Sequence, residues 1–253
     1  MSHTKNRIAI VTGASRGIGA EIVRRLRAEG VAVHALARPS DALEQICTET
    51  GATPLPVDLM DTAALEEALD GVAPDILINN AGIITASGPL HTLDASAIDG
   101  MVAMNLTAVL HTLRILLPGM IKRGRGDVVL LGSIAGRYPL PNMAAYGITK
   151  AAIRALVNGL RLDLHGTGIR VTEVAPGRVE TDINLNAMGG DRNAMREKLF
   201  ANHQASQPGD IADAVMAALT MPRRSNVSFI EVVPTRQTVG GGLFAEGYDE
   251  TSD

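Results

Sequence analysis

Short aliphatic runs alternate with longer amphipathic ones along most of this chain, and that rhythm limits the folds open to it. The aliphatic runs lie near 7–12, 31–36, 53–57, 74–79, 127–132, 169–174 and 227–232. Bounded apolar runs of this length read as buried strands. Between them, stretches near 17–29, 39–50, 61–70, 94–122, 144–165 and 208–220 carry apolar residues at helical spacing. Strand–helix alternation requires crossover connections, which give a parallel sheet with helices on both faces. The expected fold is therefore α/β: a single-domain Rossmann fold, a doubly wound parallel sheet of about seven strands. A chain of 253 residues that is 46% apolar can bury such a core, and 26 glycines with few aromatics suit packing of small aliphatics. Neither an internal repeat nor a Pro/Ser-rich linker interrupts the pattern, so 1–253 is expected to form one unit.

Two segments break the rhythm. Residues 183–206 are polar and mixed in charge, with Gly189-Gly190 as a hinge, and an insertion near strand ends is expected to act as a substrate lid. The stretch 240–253 is rich in glycine and acid and is expected to fray. Composition narrows the function classes. A net charge of −4, and aromatics limited to Tyr138, Tyr146, Tyr248, Phe200, Phe229 and Phe244, give no reason to expect nucleic acid as a partner. The single Cys47 excludes an internal disulfide and fits a reducing compartment. Six scattered histidines without ligand spacing predict no metal site. No charged-then-apolar leader precedes the first strand, and no apolar run approaches about 18 residues. The expectation is a soluble, cytoplasmic protein without a membrane partner.

The first aliphatic run, Arg7 to Thr12, leads into Gly13-Ala-Ser15-Arg16-Gly17-Ile18-Gly19 and then a helical stretch beginning Ala20-Glu21. Glycines at such a βα junction let the backbone turn tightly and approach a pyrophosphate, whose charge the helix N-terminus favours. The spacing is Gly-x-x-x-Gly-x-Gly, and tight turns also use glycine for steric reasons alone; the strand–loop–helix context favours dinucleotide binding. At the end of the second strand, Ala35-Leu36-Ala37-Arg38 offers no carboxylate to bond a ribose 2′-hydroxyl. Arg38 can instead make a forked contact to a 2′-phosphate, which predicts NADP(H) as cofactor.

A second group of residues carries chemistry. Ser133 ends the run Asp127 to Leu131, and Tyr146 and Lys150 stand four apart, on one face of a helix. An ammonium beside a phenol is expected to lower the phenol's pKa, and a tuned phenol next to a fixed hydroxyl can donate a proton to a developing oxyanion. An interfacial tyrosine and a solvated lysine would show the same spacing.

Taken together, Thr12-Gly-Ala-Ser-Arg-Gly-Ile-Gly19, Asn79-Asn80-Ala81-Gly82, Asn105, Ser133, Tyr146-x-x-x-Lys150 and Pro176-Gly177 resemble the ordered motifs of the short-chain dehydrogenase/reductase family. The resemblance runs from Thr12 to Thr181 and implies an oxidoreductase that interconverts an alcohol and a carbonyl. It implies that Tyr146 is the general acid, that Ser133 holds the substrate oxygen, and that Lys150 tunes the tyrosine and bonds the nicotinamide ribose. Asn105 would hold a water that relays protons to Lys150. Arg16 would join Arg38 at the phosphate, Asp58-Leu59 would meet the adenine, and Asn80, Ala81 and Gly82 its ribose. Pro176-Gly177 and Val179 to Thr181 would bracket the carboxamide.

The stretches Asp163 to Gly177 and Asn226 to Gln237 are similar to the NADP-dependent 3-hydroxy acid (serine-type) dehydrogenase branch. This implies a small hydroxy acid, oxo acid or aldehyde as substrate, with a 3-oxoacyl carrier-protein reductase, another ketone reductase and a non-catalytic NADP-sensing module as alternatives. An anionic substrate needs a cation. Arg137 and Arg178 are placed by chain position to supply one, and Arg192 and Arg196 lie on the expected lid. By analogy with the family, a homotetramer or homodimer is expected, packed through 94–122 and 144–165.

Overall fold

In the computed structural model, which describes residues 6–200 and 205–238, every expected strand forms. They are β1 (Ile8–Thr12), β2 (Ala32–Ala37), β3 (Thr53–Pro56), β4 (Ile76–Asn79), β5 (Gly126–Leu131), β6 (Ile169–Pro176) and β7 (Phe229–Val232). All pair in parallel in one seven-stranded sheet of order β3-β2-β1-β4-β5-β6-β7. Winding runs outward from β1 to β3, then returns to β4 on the other side of β1. That reversal opens a crevice at the carboxyl ends of β1 and β4, where ligands bind in folds of this kind.

Helices cover both faces. They are α1 (Gly17–Ala28), α2 (Asp41–Thr50), α3 (Thr62–Leu69), α4 (Ala95–Val102), α5 (Ala108–Arg123), α6 (Ala144–Asp163), α7 (Arg192–Phe200) and α8 (Pro208–Thr220). Side chains alternate across each strand, so neighbours enter opposite cores. Val11 and Val129 pack with Ile22, Leu26, Ile211 and Val215 from α1 and α8. Ile10 and Val128 pack with Leu113, Leu116, Ile153 and Val157 from α5 and α6. Each fully buried Ile or Leu contributes about 1.5–3 kcal/mol relative to exposure. At the edge opposite the crevice, buried Asp127 accepts from Arg170 Nε at 2.5 Å and Arg223 Nη1 at 3.0 Å, and also from Arg7. Removing that one carboxylate would leave three guanidinium groups without their shared counter-charge.

Three expectations need adjustment. The stretch 94–122 is α4 and α5 joined by a π-helical turn, Ala103–Thr107, centred on buried Asn105. Widened turns of this type arise where a side chain has a demanding job. Here the Asn105 amide bonds both backbone groups of Ile83. Secondly, Ala95–Arg123 as a whole is long and apolar enough to cross a membrane by length and composition, with mean hydropathy 1.5 over its best window. Much of that apolarity is spent on the core, since Met101, Val109, Leu113, Leu116 and Met120 are buried. Thirdly, the segment 183–206 contains α7, which lacks a periodic apolar signal because Met195 is its one deeply buried anchor. Residues 201–204 of that segment and the stretch 240–253 lie outside the described residues.

Candidate active site

The crevice at the β1/β4 switch widens into a cleft of about 1380 Å³. Thr12, at the end of β1, organises the switch beneath it. The Thr12 hydroxyl accepts from the backbone N–H groups of Asn80 and Ala81, each at 3.0 Å, and Asn80 Nδ2 donates to the carbonyls of Thr12 and Gly13 at 2.9 and 3.2 Å. The loop after β1 and the loop after β4 are thus tied together across the switch. Gly13 has φ +65°, and a Cβ there would lie 2.9 Å from Ala81 Cα, so glycine is required on both conformational and steric grounds.

At the far end of this loop α1 begins without a side-chain cap and without an acid in its first turn. Its first N–H groups and the positive end of its dipole therefore face the cleft unspent, the arrangement that suits a phosphate. Gly13, Ser15, Arg16, Gly17 and Ile18 all line the cleft. Gly19 does not. A Cβ on Gly19 would stand 2.2 Å from the Gly13 carbonyl, so this glycine serves close packing of helix on loop, not contact with a ligand.

Arg38, at the end of β2, lines the same cleft as Arg16, and Asp58 and Leu59 line it after β3. Asp58 Oδ1 accepts from the Met60 N–H at 3.0 Å. Asn80, Ala81, Gly82, Pro176, Gly177, Val179 and Thr181 complete the lining expected from the sequence. The volume, the unspent helix N-terminus, Arg16 of the glycine loop with Arg38 at the β2 end, and the glycine contacts fit a phosphorylated dinucleotide.

The chemical group sits on the β5–α6 side. Ser133, extended at φ −170°, caps a short 3-10 turn at Ile134–Gly136, where its Oγ accepts from Ala135 N at 3.1 Å. Its hydroxyl hydrogen is left for another partner. Tyr146 and Lys150 rise from the start of α6, and both are buried. All three residues line the cleft. A hydrogen bond joins Tyr146 to Ser133 and lowers the phenol's pKa, but burial outweighs it and pushes the phenol up to about 12. Lys150 Nζ donates to the Leu131 carbonyl at 2.8 Å and lies 5.8 Å from the centre of the Tyr146 ring. Burial brings the lysine down to about 8, partly opposed by the charge of Glu173. The sequence predicted a phenol lowered by its neighbouring ammonium. In the protein alone, burial prevails, because it penalises the charged form of both groups.

Asn105 is absent from the cleft lining and 1% exposed. Its Oδ1 accepts from Ile83 N at 2.8 Å, while Nδ2 donates to Ile83 O at 2.9 Å and Thr149 Oγ1 at 3.2 Å. Thr149 in turn donates to Tyr146 O at 2.8 Å, so Asn105 braces the first turn of α6. Asn105 Oδ1 and Lys150 Nζ converge on Gly82, at 3.4 and 3.5 Å from the position a Cβ would take there.

The arginines divide. Arg178 lines the cleft and donates to the Leu199 carbonyl of α7 at 3.3 Å. Arg137 is not in the lining: its guanidinium lies over the Phe229 ring at 4.0 Å and pairs with Glu231 at 3.9 Å. Both of these partners stand on β7. Arg192 pairs with Asp182, and Arg196 pairs with Glu180 at 2.5 Å; neither lines the cleft.

Sequence reasoning gave no role to Thr12, Thr149 or Gln237. The Gln237 side chain accepts from Arg178 N at 2.9 Å and lines the cleft. A Cβ on Gly177 would meet it at 2.4 Å. Only tertiary folding of Pro234–Gln237 onto the Pro-Gly loop brings it there, so no local pattern could have marked it. Thr12 was legible in principle, as a hydroxyl ending a buried strand with no partner of its own.

A seven-stranded doubly wound sheet with this cleft is a fold of the dinucleotide-binding type. A family model described as short chain dehydrogenase matches residues 7–189. The chain belongs to the short-chain dehydrogenase family. It is 41% identical over 246 residues to an uncharacterized short-chain type dehydrogenase/reductase, y4eK, of Sinorhizobium fredii, covering 96% of this chain and 98% of that one. It is 35% identical to the NADP-dependent 3-hydroxy acid dehydrogenase YdfG of Escherichia coli K12, covering 92% and 97%. Among solved structures, the closed form of a serine dehydrogenase complexed with NADP+ superposes with a TM-score of 0.88 at 33% identity, over 96% of this chain and 98% of that one.

Proposed function

We propose that this protein is an NADP-dependent oxidoreductase that interconverts a small alcohol and its carbonyl, with Tyr146 as general acid and base. The convergence of Ser133, Tyr146 and Lys150 on the cleft that also receives the uncapped N-terminus of α1 carries this reading. NADPH held in the cleft would supply the hydride, and its oxidised form a positive charge. As negative charge grows on the carbonyl oxygen, the Tyr146 hydroxyl donates its proton there. The Ser133 hydroxyl holds the same oxygen and resists its drift. Lys150 stabilises the phenolate left behind and binds the nicotinamide ribose. Asn105, whose Oδ1 converges with Lys150 Nζ on Gly82, helps return a proton to the lysine through a held water.

Arg38 and Arg16 select the 2′-phosphate. Arg178, in the lining beside α7, receives the anionic end of a small hydroxy or oxo acid. The NADP-linked relatives at full-length coverage support the cofactor and the hydroxy acid class. The segment 183–206 works as the lid over this end of the cleft, and the protein is a soluble, cytoplasmic homo-oligomer.

The test is a panel of small carbonyls and alcohols, charged and neutral, run with NADP(H) and NAD(H) side by side. Expected are consumption of NADPH in preference to NADH and faster turnover of carboxylate-bearing substrates. Arg38→Leu should lower kcat/KM for NADPH roughly ten- to a hundred-fold, the worth of a charge-assisted hydrogen bond. Equal use of NADH by the wild type would overturn the cofactor assignment. Equal kcat/KM for charged and neutral ketones would remove Arg178 as an anion receptor.

A further inference from the structure

The interior of β6 holds an acid that the proposed chemistry does not use. Glu173 is 3% exposed, in register with Leu130 of β5 and Phe229 of β7. Its Oε1 has no hydrogen-bond partner. A carboxylate buried in a parallel sheet is costly unless charge nearby compensates it, and a valine would fill the same strand position at no such cost.

Its position is informative. A Cβ added to Gly132 would stand 2.4 Å from Glu173 Oε1 and 3.1 Å from its Cδ, so the carboxyl group packs where only glycine leaves room. Gly132 lies between Leu131, whose carbonyl accepts from Lys150 Nζ at 2.8 Å, and Ser133. Carboxylate and ammonium therefore approach one short stretch of backbone, from β6 and from α6. The charged groups acting on Glu173, strongest first, are Arg137 of the segment after β5, Arg154 and Lys150 of α6, and Glu231 of β7. Arg137 is divided among several partners, since it also stacks on Phe229 and pairs with Glu231. Lys150, by contrast, donates to a neutral carbonyl, and Glu173 is the acid whose charge favours its ammonium form.

We propose that Glu173 is a positioning residue for the reaction outlined above, its buried carboxylate beneath Gly132 keeping Lys150 charged beside Tyr146. The proposal rests on the reading of Tyr146 and Lys150 as the proton-delivering pair. Burial alone drives Lys150 towards loss of its proton near neutral pH, and a neutral amine could not stabilise a phenolate. Burial also raises the pKa of Glu173, while Arg137, Arg154 and Lys150 lower it. The ammonium and the carboxylate thus each favour the charged form of the other.

The chain has four lysines, Lys5, Lys122, Lys150 and Lys198, so protein labelled with 13C at lysine Cε gives a spectrum simple enough to titrate. The Lys150 signal is assigned by its loss in Lys150→Arg. In Glu173→Gln its midpoint should fall by about one pH unit below that of the wild type, whereas Glu173→Asp should recover most of the difference. The limb of the kcat profile that reports Lys150 should move in the same direction. An unchanged Lys150 midpoint in Glu173→Gln would overturn the proposal. If that variant does not fold, the wild type still decides: its Lys150 signal should show a second inflection where 13C-labelled Glu173 titrates, and a single-step curve would refute the coupling. Tyr146→Phe separates the two levels. Full turnover in that variant refutes the reaction reading and leaves the titration standing, while an inactive Tyr146→Phe with an unmoved Lys150 midpoint refutes the role of Glu173 alone.

Discussion

Burial, more than spacing, sets the acid–base behaviour of Tyr146 and Lys150. The phenol is pushed up to about 12 and the ammonium down to about 8, both by loss of water. For Lys150 the consequence for stability has a definite sign. Folded and unfolded states are both protonated below pH 8, so the full penalty for burying the ammonium is present there. Between about pH 8 and the usual lysine value near 10.5, the unfolded state binds more protons, so stability rises with pH. The gain is about 3 kcal/mol over that window. Denaturant unfolding of wild type and Lys150→Met at pH 7.5 and pH 10 isolates it: the wild type should gain on the variant as pH rises, and parallel behaviour would deny that the lysine is buried and charged. The residues of the proposed acid–base group could be singled out in the sequence because a hydroxyl at a strand end and a Tyr-x-x-x-Lys spacing are local patterns. Their environment could not, since the depth of Tyr146 and the acid at Glu173 depend on packing of β6 and α6 against the Ser133 turn. The same reason hid the outcome for Arg137, whose chain position suggested the cleft while its side chain lies on Phe229.

At the scale of elements, the strands were the most legible part, because each is a bounded apolar run. The π-helical turn and α7 were not. One is forced by a single side chain reaching Ile83, and the other is a polar helix held by Met195 and by ion pairs. The segment bearing α7 is fastened at its base, where Val179 bridges Ser206 and Gln207 bonds Glu180 at 3.0 Å. Within it, Gly189 and Gly190 adopt φ +75° and +83°, a conformation that other residues resist, so the chain can turn here. Arg178 joins this segment to the cleft through Leu199. If this segment is the proposed lid, it should close about its base when ligand binds. Hydrogen exchange at 183–200 should slow at least several-fold when NADPH and substrate are added, with β1 and β5 unchanged. Equal exchange with and without ligand would leave α7 as a fixed wall of the cleft.

For the whole molecule, several large apolar side chains stand exposed on α5 and α6. Ile148, Ala151, Ala155 and Leu162 form an exposed stripe down α6, and Leu162 is 79% exposed. On α5, Leu110 and Ile121 are exposed as well, and exposed apolar side chains on both helices suit the proposed assembly of copies through them. Leu162→Asp should shift the protein to smaller species in light-scattering chromatography while leaving its helical content intact; an unchanged mass would move the interface elsewhere. Whatever the assembly, the family makes this chain an oxidoreductase, and the proposed mechanism has Tyr146 delivering the proton. Turnover by Tyr146→Phe on the best substrate of the carbonyl panel, with NADPH affinity measured alongside, is the direct test. The account predicts unaltered NADPH binding with kcat lower by about two to four orders of magnitude, the range for loss of a general acid. Near-normal kcat in that variant would contradict it.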